Sequence, residues 1–310
     1  MKIRVTAYSR LHLGLYELGA HFGRRFGGLG VYVEEPRIIV EAQPHEYLVV
    51  SGDRKQDTLE TVQIIRKSFG RKARLLIKVS AQTPLHRGFG SVTQHKLAVA
   101  MAVLNTWNID HDIYQLAKIL GRGTISNIGT ILFHQGGFVV EFPKKDTTQR
   151  PSFIRISFPE TWSFVVAYPL HESGPDDTTE SILVRQLKPM EQYECMQLSH
   201  IVFSILVPSL LEHNFDEFAE ALSNFQKLVG RYFSHVQGGV FRSAKAVEAL
   251  EKSGAVGVGQ SSWGPAVYGL CQTMDKAVEV ARAVRQLLGP DWVVFSAKAV
   301  NHGAEISVTP

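Results

Sequence analysis

Glycine and hydroxyl residues cluster between residues 83 and 102, in the sequence TPLHRGFGSVTQHKLAVAMA. Gly88 and Gly90 would let a ligand approach the backbone closely, and the helix predicted behind them would present unpaired N–H groups and the positive end of its dipole to an anion. The segment therefore predicts a phosphate cradle, although it has neither the lysine–serine pair of a Walker loop nor the spacing of a Rossmann fingerprint. An ordinary glycine turn before a helix is the alternative. The further donors in this segment are Arg87, Ser91 and Thr93.

Arginines in this and other segments could bind the same anion, because a planar guanidinium can donate two parallel hydrogen bonds to phosphate oxygens. His12 lies two residues after Arg10 on a predicted strand, so both side chains would point to the same face. This arrangement would place a titratable imidazole beside a phosphate-binding cation, where it could take a proton from a substrate. Surface ion pairing is the alternative for each arginine, and a hydrogen-bonded strand histidine is the alternative for His12. The candidate arginines are Arg10, Arg24, Arg87 and Arg122.

Two further motifs, SRLHLGL at 9–15 and GAVGVGQSSWGPAVYG at 254–269, complete a three-motif layout with the cradle. This layout resembles the GHMP superfamily, named for galactokinase, homoserine kinase, mevalonate kinase and phosphomevalonate kinase. Within it, the chain is most similar to the β-ribofuranosylaminobenzene 5'-phosphate synthase family. The stretches that carry this resemblance are SRLHLGLYELG, GRRFGGLGVYVEEP, GFGSVTQHKLAVA, GRGTISNIG followed by QGGFVVE, and GVGQSSWGP.

The resemblance implies an α+β fold of two domains, 1–150 like the second domain of ribosomal protein S5 and 151–310 ferredoxin-like. It implies that ribose C1 of phosphoribosyl pyrophosphate is coupled to the carboxylate-bearing ring carbon of 4-hydroxybenzoate or 4-aminobenzoate, with loss of CO2 and pyrophosphate, in tetrahydromethanopterin biosynthesis. It further implies a cytoplasmic homodimer. The implied catalytic residues are Arg10, His12 and Glu17. The implied phosphate- and substrate-binding residues are Arg24, Arg87, Gly88, Gly90, Ser91, Thr93, Arg122, Ser126, Gly257, Gly259, Gln260, Ser261 and Ser262.

Mg2+ is the cofactor that the resemblance implies, with Ser91 and Glu35 as its candidate ligands and Glu17 and Glu34 as further candidate carboxylates. No Asp or Glu occurs between Gly121 and Gln135, where a superfamily kinase would carry its catalytic aspartate. This gap disfavours an ATP-dependent small-molecule kinase, which remains an alternative together with a non-catalytic, ligand-sensing relative.

Two positions depart from the family pattern: His134, where many of the synthases have glutamate, and the Glu141-Phe142-Pro143 stretch, where they have aspartate followed by glycines. The acidic segment 173–180 superficially resembles the substrate loop of ordinary phosphoribosyltransferases, and a mobile acidic loop is the alternative.

The elements that position these motifs follow from periodicity. Short alternating runs up to about residue 42 predict an antiparallel sheet, and alanine-rich apolar spacing from Gly90 to about Trp107 predicts a packed helix. The polar stretch at 143–151 predicts a linker. Further predicted helices span 59–69, 112–120, 124–132, 191–212, 215–229 and 275–288, and further strands span 137–141, 153–158 and 163–168.

Composition excludes several function classes. The longest apolar run, Leu97–Leu104, is too short for a membrane span, and the N-terminus has no signal-peptide pattern. Cys195 and Cys271 have no zinc or disulfide spacing. The net charge of +4 is small and its basic clusters lack interleaved aromatics, so we expect no nucleic-acid partner.

Overall fold

The computed structural model describes residues 2–146 and 150–309, and in this part of the chain the strands form two sheets. A seven-stranded sheet has the order β11-β1-β2-β4-β3, with β5 paired to β2 and β6 paired to β5. A four-stranded antiparallel sheet has the order β10-β7-β9-β8. The strands are β1 (Lys2–Leu15), β2 (Gly28–Pro44), β3 (Val49–Gly52), β4 (Leu75–Ala81), β5 (Phe138–Glu141), β6 (Phe153–Ile156), β7 (Ser163–Pro169), β8 (Val256–Gln260), β9 (Val267–Cys271), β10 (Trp292–Lys298) and β11 (Glu305–Thr309).

Helices cover both sheets, which confirms the predicted α+β class. The helices are α1 (Lys55–Ser68), α2 (Ser91–Thr106), α3 (Ile113–Ile119), α4 (Ile128–Gln135), α5 (Asp177–Gln186), α6 (Gln192–Ile201), α7 (Val207–Leu211), α8 (Phe215–Gln237), α9 (Ala244–Lys252) and α10 (Met274–Leu288), with a π-helical segment Val202–Leu206 between α6 and α7.

The second sheet has the ferredoxin-like arrangement that the sequence implies. Counted along the chain, its strands lie in the order 4-1-3-2, and helices separate the first strand from the second and the third from the fourth. The boundary near residue 150 stays a prediction, and residues 147–149 of the expected linker lie outside the described residues. Sheet membership does not follow that boundary, because β6 and β11 pair with β5 and β1 of the first sheet.

The N-terminal region consists of two long strands rather than the short ones predicted. β1 and β2 pair along most of their length, with register shifts between Ala7 and Ser9 and between His12 and Gly14. Such irregularities bend a strand and re-aim its side chains. The second shift lies where Arg10 and His12 line the cleft described below.

Helix α2 is largely apolar because it is buried between elements. Leu97, Ala98 and Val99 are completely inaccessible in its centre, and it packs on β1, β2 and α4. The helix begins at Ser91, directly after Gly90 of the glycine loop, so its packing places the start of the helix at that loop.

Gln192–Leu211 is the one stretch in the described residues that is long and apolar enough to cross a membrane. Its residues Leu198, Val202, Leu206 and Leu210 are fully buried in the core shared with β1 and α8. We therefore interpret it as a packing helix.

Candidate active site

The three sequence motifs meet at one cleft. Its main part is a cavity of about 340 Å³, and a smaller cavity of about 70 Å³ adjoins it at the start of α2. Residues that line both parts are Arg10, Thr93, Arg122, Asp177, Glu180, Ser262 and Trp263.

The smaller cavity is the predicted phosphate cradle. Gly88 and Gly90 have φ values of +97° and +69°, which a residue with a Cβ adopts only with strain. The carbonyl of Gly88 accepts hydrogen bonds from Arg10 Nη1 (2.8 Å) and Ser261 Oγ (2.6 Å), so β1 and the loop after β8 both hold the turn. Ser91 and Thr93 in the first turn of α2 line the cavity beside the free N–H groups of the helix.

Two arginines supply positive charge where the cavities join. Burial lowers the pKa of Arg10 to about 10, and the nearby Glu180 opposes that shift, so the guanidinium is still charged at neutral pH. Arg122 donates from Nε to Thr93 Oγ1 (2.9 Å) and from Nη1 to Asp177 Oδ2 (2.5 Å). An anion in the cradle would therefore meet two cations from different elements.

His12 is buried and lines the main cavity. Its Nδ1 accepts a hydrogen bond from the Gly14 N–H (3.2 Å), so Nε2 carries the proton and donates it to Ser126 Oγ (3.3 Å). Burial and, secondly, the charge of Arg10 lower the pKa of His12 to about 3. The imidazole is consequently neutral at physiological pH.

The second glycine loop divides between the cleft and the fold. Gln260 and Ser262 line the main cavity. Ser261 is fully buried, and its hydroxyl accepts from the His12 N–H (2.9 Å) while donating to Gly88. Gly257 and Gly259 do not line the cleft, contrary to the prediction, because they lie within β8 and face α8.

Four other predicted residues also lie away from the cleft. Glu17 accepts from the N–H groups of Gly19 and Ala20, and thereby closes a turn. Arg24 is exposed and donates to Pro143 O. Arg87 donates to Pro169 O and Leu170 O at the end of β7. Glu35 pairs with Arg37 near the surface, so the structure does not bring it to Ser91.

Sequence reasoning missed the contribution of α5. Asp177 and Glu180 line both cavities, and Glu180 accepts a hydrogen bond from Trp263 Nε1 (3.1 Å). The segment expected to be a loop is instead the start of this helix, with Asp176 as its N-cap. A cap residue followed by acidic residues is the signal that predicts such a start.

An apolar end of the main cavity was also not predicted. Its walls come from the turn after β1 and from α5, α8 and the segment before α9. The apolar lining residues are Leu15, Leu18, Phe26, Ile125, Val184, Leu187, Val229, Phe233, Val240 and Phe241. The cleft therefore joins a phosphate-sized part, lined by two arginines and two carboxylates, to apolar side chains that can accept an aromatic ring.

The departures from the family pattern have different surroundings. His134 is exposed at the end of α4, whereas Glu141 is completely buried behind the cleft.

No cluster of three or more His, Cys, Asp or Glu residues suited to a metal occurs in residues 2–146 and 150–309.

Solved structures share this fold. The phosphomevalonate kinase of Streptococcus pneumoniae superposes with a TM-score of 0.71 at 14% identity, covering 97% of this chain and all of the kinase chain. The family model for the C-terminal part of GHMP kinases matches residues 206–289. These two similarities establish the fold but not the reaction.

Sequence relatives are more specific. The β-ribofuranosylphenol 5'-phosphate synthase of Methanothermobacter thermautotrophicus is 28% identical, and the alignment covers 96% of each chain. That of Archaeoglobus fulgidus is 29% identical over 99% of this chain and the whole of the relative. The chain is thus similar to these synthases over nearly its full length, and its residues 206–289 are similar to the C-terminal part of GHMP kinases. The resemblance stated from the sequence is thus confirmed. The implied family residues that the fold brings to the cleft are Arg10, His12, Gly88, Gly90, Ser91, Thr93, Arg122, Ser126, Gln260 and Ser262.

Proposed function

We propose that the chain couples phosphoribosyl pyrophosphate to an aromatic acid in tetrahydromethanopterin biosynthesis. A bond forms between ribose C1 and the ring carbon that bears the carboxylate, while the bond from C1 to pyrophosphate oxygen breaks and its electrons leave with pyrophosphate. The bond to the carboxylate then breaks, CO2 leaves, and its electron pair restores the aromatic ring. The observation that carries this proposal is the single cleft, in which the glycine loop with Arg10 and Arg122 adjoins a set of apolar side chains.

The two ends suit the two substrates. Charge-assisted hydrogen bonds from Arg10 and Arg122 would hold the departing pyrophosphate, and the N-terminus of α2 adds its dipole. Leu15, Val229 and Phe233 would hold the ring against C1, and such positioning accounts for much of the rate in reactions of this kind.

We propose 4-hydroxybenzoate as the aromatic acid, because the relatives are named for a ribofuranosylphenol product. 4-Aminobenzoate is the competing substrate and differs only in the group opposite the carboxylate.

Mg2+ would arrive with the pyrophosphate and neutralise part of its charge. Ser91, Asp177 and Glu180 line the smaller cavity, and one or two carboxylates with substrate oxygens are what Mg2+ ordinarily uses. Asp177 and Glu180 take the place of Glu35 as proposed Mg2+ ligands, because Glu35 pairs with Arg37 away from the cleft. A cytoplasmic homodimer remains part of the proposal on the family resemblance alone, and light scattering in solution would test the dimer.

The test is to incubate the purified chain with Mg2+, phosphoribosyl pyrophosphate and each acid in turn, measuring pyrophosphate, 14CO2 from carboxyl-labelled acid, and the coupled product. We expect equal amounts of all three with 4-hydroxybenzoate. Pyrophosphate without CO2 would contradict the coupling reaction, and consumption of ATP with a phosphorylated acceptor would support a kinase instead.

A further inference from the structure

A continuous chain of hydrogen bonds leads from the cleft to a carboxylate that no solvent reaches. His12 Nε2 donates to Ser126 Oγ (3.3 Å), and Ser126 Oγ donates to Glu141 Oε2 (3.1 Å). These three residues come from β1, from the turn before α4 and from the end of β5. Glu141 has no accessible surface, whereas His12 and Ser126 line the cavity.

The carboxylate is held firmly in place. It accepts hydrogen bonds from the Asn127 N–H (2.8 Å) and Asn127 Nδ2 (2.7 Å), and Lys144 Nζ lies 3.9 Å from Oε1. Lys144 is itself directed by a bond to Gly123 O (2.8 Å). Burying a charged group costs free energy, because the ion loses its hydration. A carboxylate that is buried with this many partners is therefore expected to have a function.

We propose that His12, Ser126 and Glu141 form a relay that removes the phenol proton of the aromatic substrate and stores it on Glu141. The inference rests on the proposed function. His12 is the group that faces the substrate, and Ser126 and Glu141 are positioning residues that act through it.

In this relay the Gly14 N–H gives up its 3.2 Å hydrogen bond to His12 Nδ1, and the substrate phenol takes its place. The substrate O–H bond then breaks and its proton goes to Nδ1, the Nε2 proton moves to Ser126 Oγ, and the Ser126 proton moves to Glu141. The phenolate pushes electrons through the ring to the opposite carbon, which bears the carboxylate and attacks C1. When CO2 has left, the three transfers reverse and the phenol of the product regains its proton.

The surrounding charges are compatible with proton passage and not with a long-lived imidazolium. Arg10 lies near His12 and, with burial, disfavours its protonated form. Burial raises the pKa of Glu141, while Lys144 and the Asn127 and Ser126 hydrogen bonds oppose that shift. Lys118 is a further cation near Lys144, and Tyr16 donates to the main-chain oxygen of Glu141 (3.1 Å). The imidazole therefore passes the proton on, and the carboxylate receives it.

The substrate itself provides the most specific test. In 3,5-difluoro-4-hydroxybenzoate the phenol is more acidic and is largely ionised at neutral pH, so it needs no base. We expect E141Q, which keeps the size of the side chain, to lower kcat with 4-hydroxybenzoate on the order of 100-fold, the range of one acid–base catalyst. The ratio of wild-type to variant kcat should be far smaller with the difluoro acid, and KM for phosphoribosyl pyrophosphate should not change.

Matched variants separate the relay from general damage. Ser126→Ala interrupts the same chain at a partly buried position and should give the same pattern, and the double variant should lose no more than either single one, because the groups act in series. Tyr16→Phe removes a bond to the Glu141 main chain but leaves the carboxylate contacts, so it should retain wild-type kcat. Equal losses on both acids, additive losses, or wild-type kcat in Ser126→Ala would each overturn the relay.

One measurement needs no turnover and so distinguishes failure of the relay from failure of the proposed function. In 15N-histidine-labelled protein, with the His12 signals identified by their loss in His12→Gln, we expect the neutral Nε2–H tautomer in both the wild type and Ser126→Ala, because the Gly14 N–H still donates to Nδ1. The Nε2 proton should exchange with water more slowly in the wild type than in Ser126→Ala, because Ser126 Oγ is its acceptor. The same exchange rate in both proteins would overturn the relay even if no product were formed from either acid.

Discussion

Gly88 and Gly90 in the first glycine loop, and Gly257 and Gly259 in the second, occur in similar sequence surroundings but have different neighbours. In the first loop, both glycines have positive φ, line the cradle and lie against Arg10 and Ser261. In the second, a Cβ on Gly259 would lie 2.4 Å from Gln226 Cγ on α8. Glycine enrichment thus marks a place where the backbone closely approaches another group. Only the fold shows whether that group belongs to a ligand site or to a packed helix.

The largest effect should come from Gly90→Ala. A Cβ there would lie 2.7 Å from Arg10 Cγ and must displace the guanidinium from the cradle. Loss of its charge-assisted hydrogen bonds should weaken phosphoribosyl pyrophosphate binding on the order of 100-fold. Calorimetric titration in Mg2+, beside a thermal melt, measures both properties.

Gly70→Ala is the matched control for backbone strain. Gly70 has a similar φ of +61°, but a Cβ there meets nothing within 4 Å, and it does not line the cleft. Both variants should lose a similar small amount of stability, and only Gly90→Ala should lose affinity. Equal affinities would show that the first glycine loop is as structural as the second.

The second largest effect separates two arginines that contact the first loop. Arg10→Ala should lower kcat/KM roughly 10- to 100-fold and change stability little, because Gly88 O keeps the Ser261 hydroxyl as a donor when the guanidinium is removed. Arg87→Ala should do the reverse, with a fall of about 1–3 kcal/mol in the free energy of unfolding, since two main-chain carbonyls lose their donor. Steady-state kinetics and urea unfolding of both variants measure this division of effects. A large kinetic defect in Arg87→Ala would show that Arg87 is part of the active site.

Much of the first loop could be predicted from the sequence, because the signals are local. Positive-φ glycines, hydroxyl residues and an apolar helix follow one another within residues 83–102. The role of Arg87 could not be predicted, because its partners at Pro169 and Leu170 are distant along the chain. The sequence predicts Glu141 only as a strand residue, because its contact with Ser126 is formed by the fold.

Helix α5 was missed for a different physical reason. None of its residues is buried, so no apolar stripe of helical period marks it. Its residues Asp177 and Glu180 contact the cleft through polar groups alone. The merged strands β1 and β2 were divided in the prediction because glycines and Pro36 resemble turn signals, whereas in the structure the strands continue through register shifts.

The third effect tests the second loop directly. Gly259→Ala should reduce the free energy of unfolding by about 1–3 kcal/mol, as overpacking does, while the folded fraction binds phosphoribosyl pyrophosphate with wild-type affinity. Because the obstacle is the Gln226 side chain, the same substitution should cost less in a Gln226→Ala background. Urea unfolding of the four proteins of this cycle gives the coupling. Additive losses would mean that β8 is strained for another reason, and loss of affinity would make Gly259 part of the ligand site after all.

The smallest effect concerns the two histidines buried on either side of the first loop. Burial lowers the pKa of His95 to about 3, as it does for His12, and His95 contacts Thr58 and Gln82 behind α2, away from the cleft. The folded-state pKa lies below the unfolded value of 6.5, so the unfolded chain binds a proton that the native state does not. The contribution to stability is complete above pH 6.5 and is lost as the pH falls towards 3. For His95, the unfolding free energy lost between pH 7 and pH 5.5 is about 1 kcal/mol. His95→Gln should reduce the pH dependence of the unfolding free energy by that amount and leave kcat unchanged. Urea unfolding at pH 7 and pH 5.5 measures this pH dependence in both proteins. If it is the same in His95→Gln as in the wild type, His95 is protonated within the fold. The packing behind the first loop would then be looser than the structure describes.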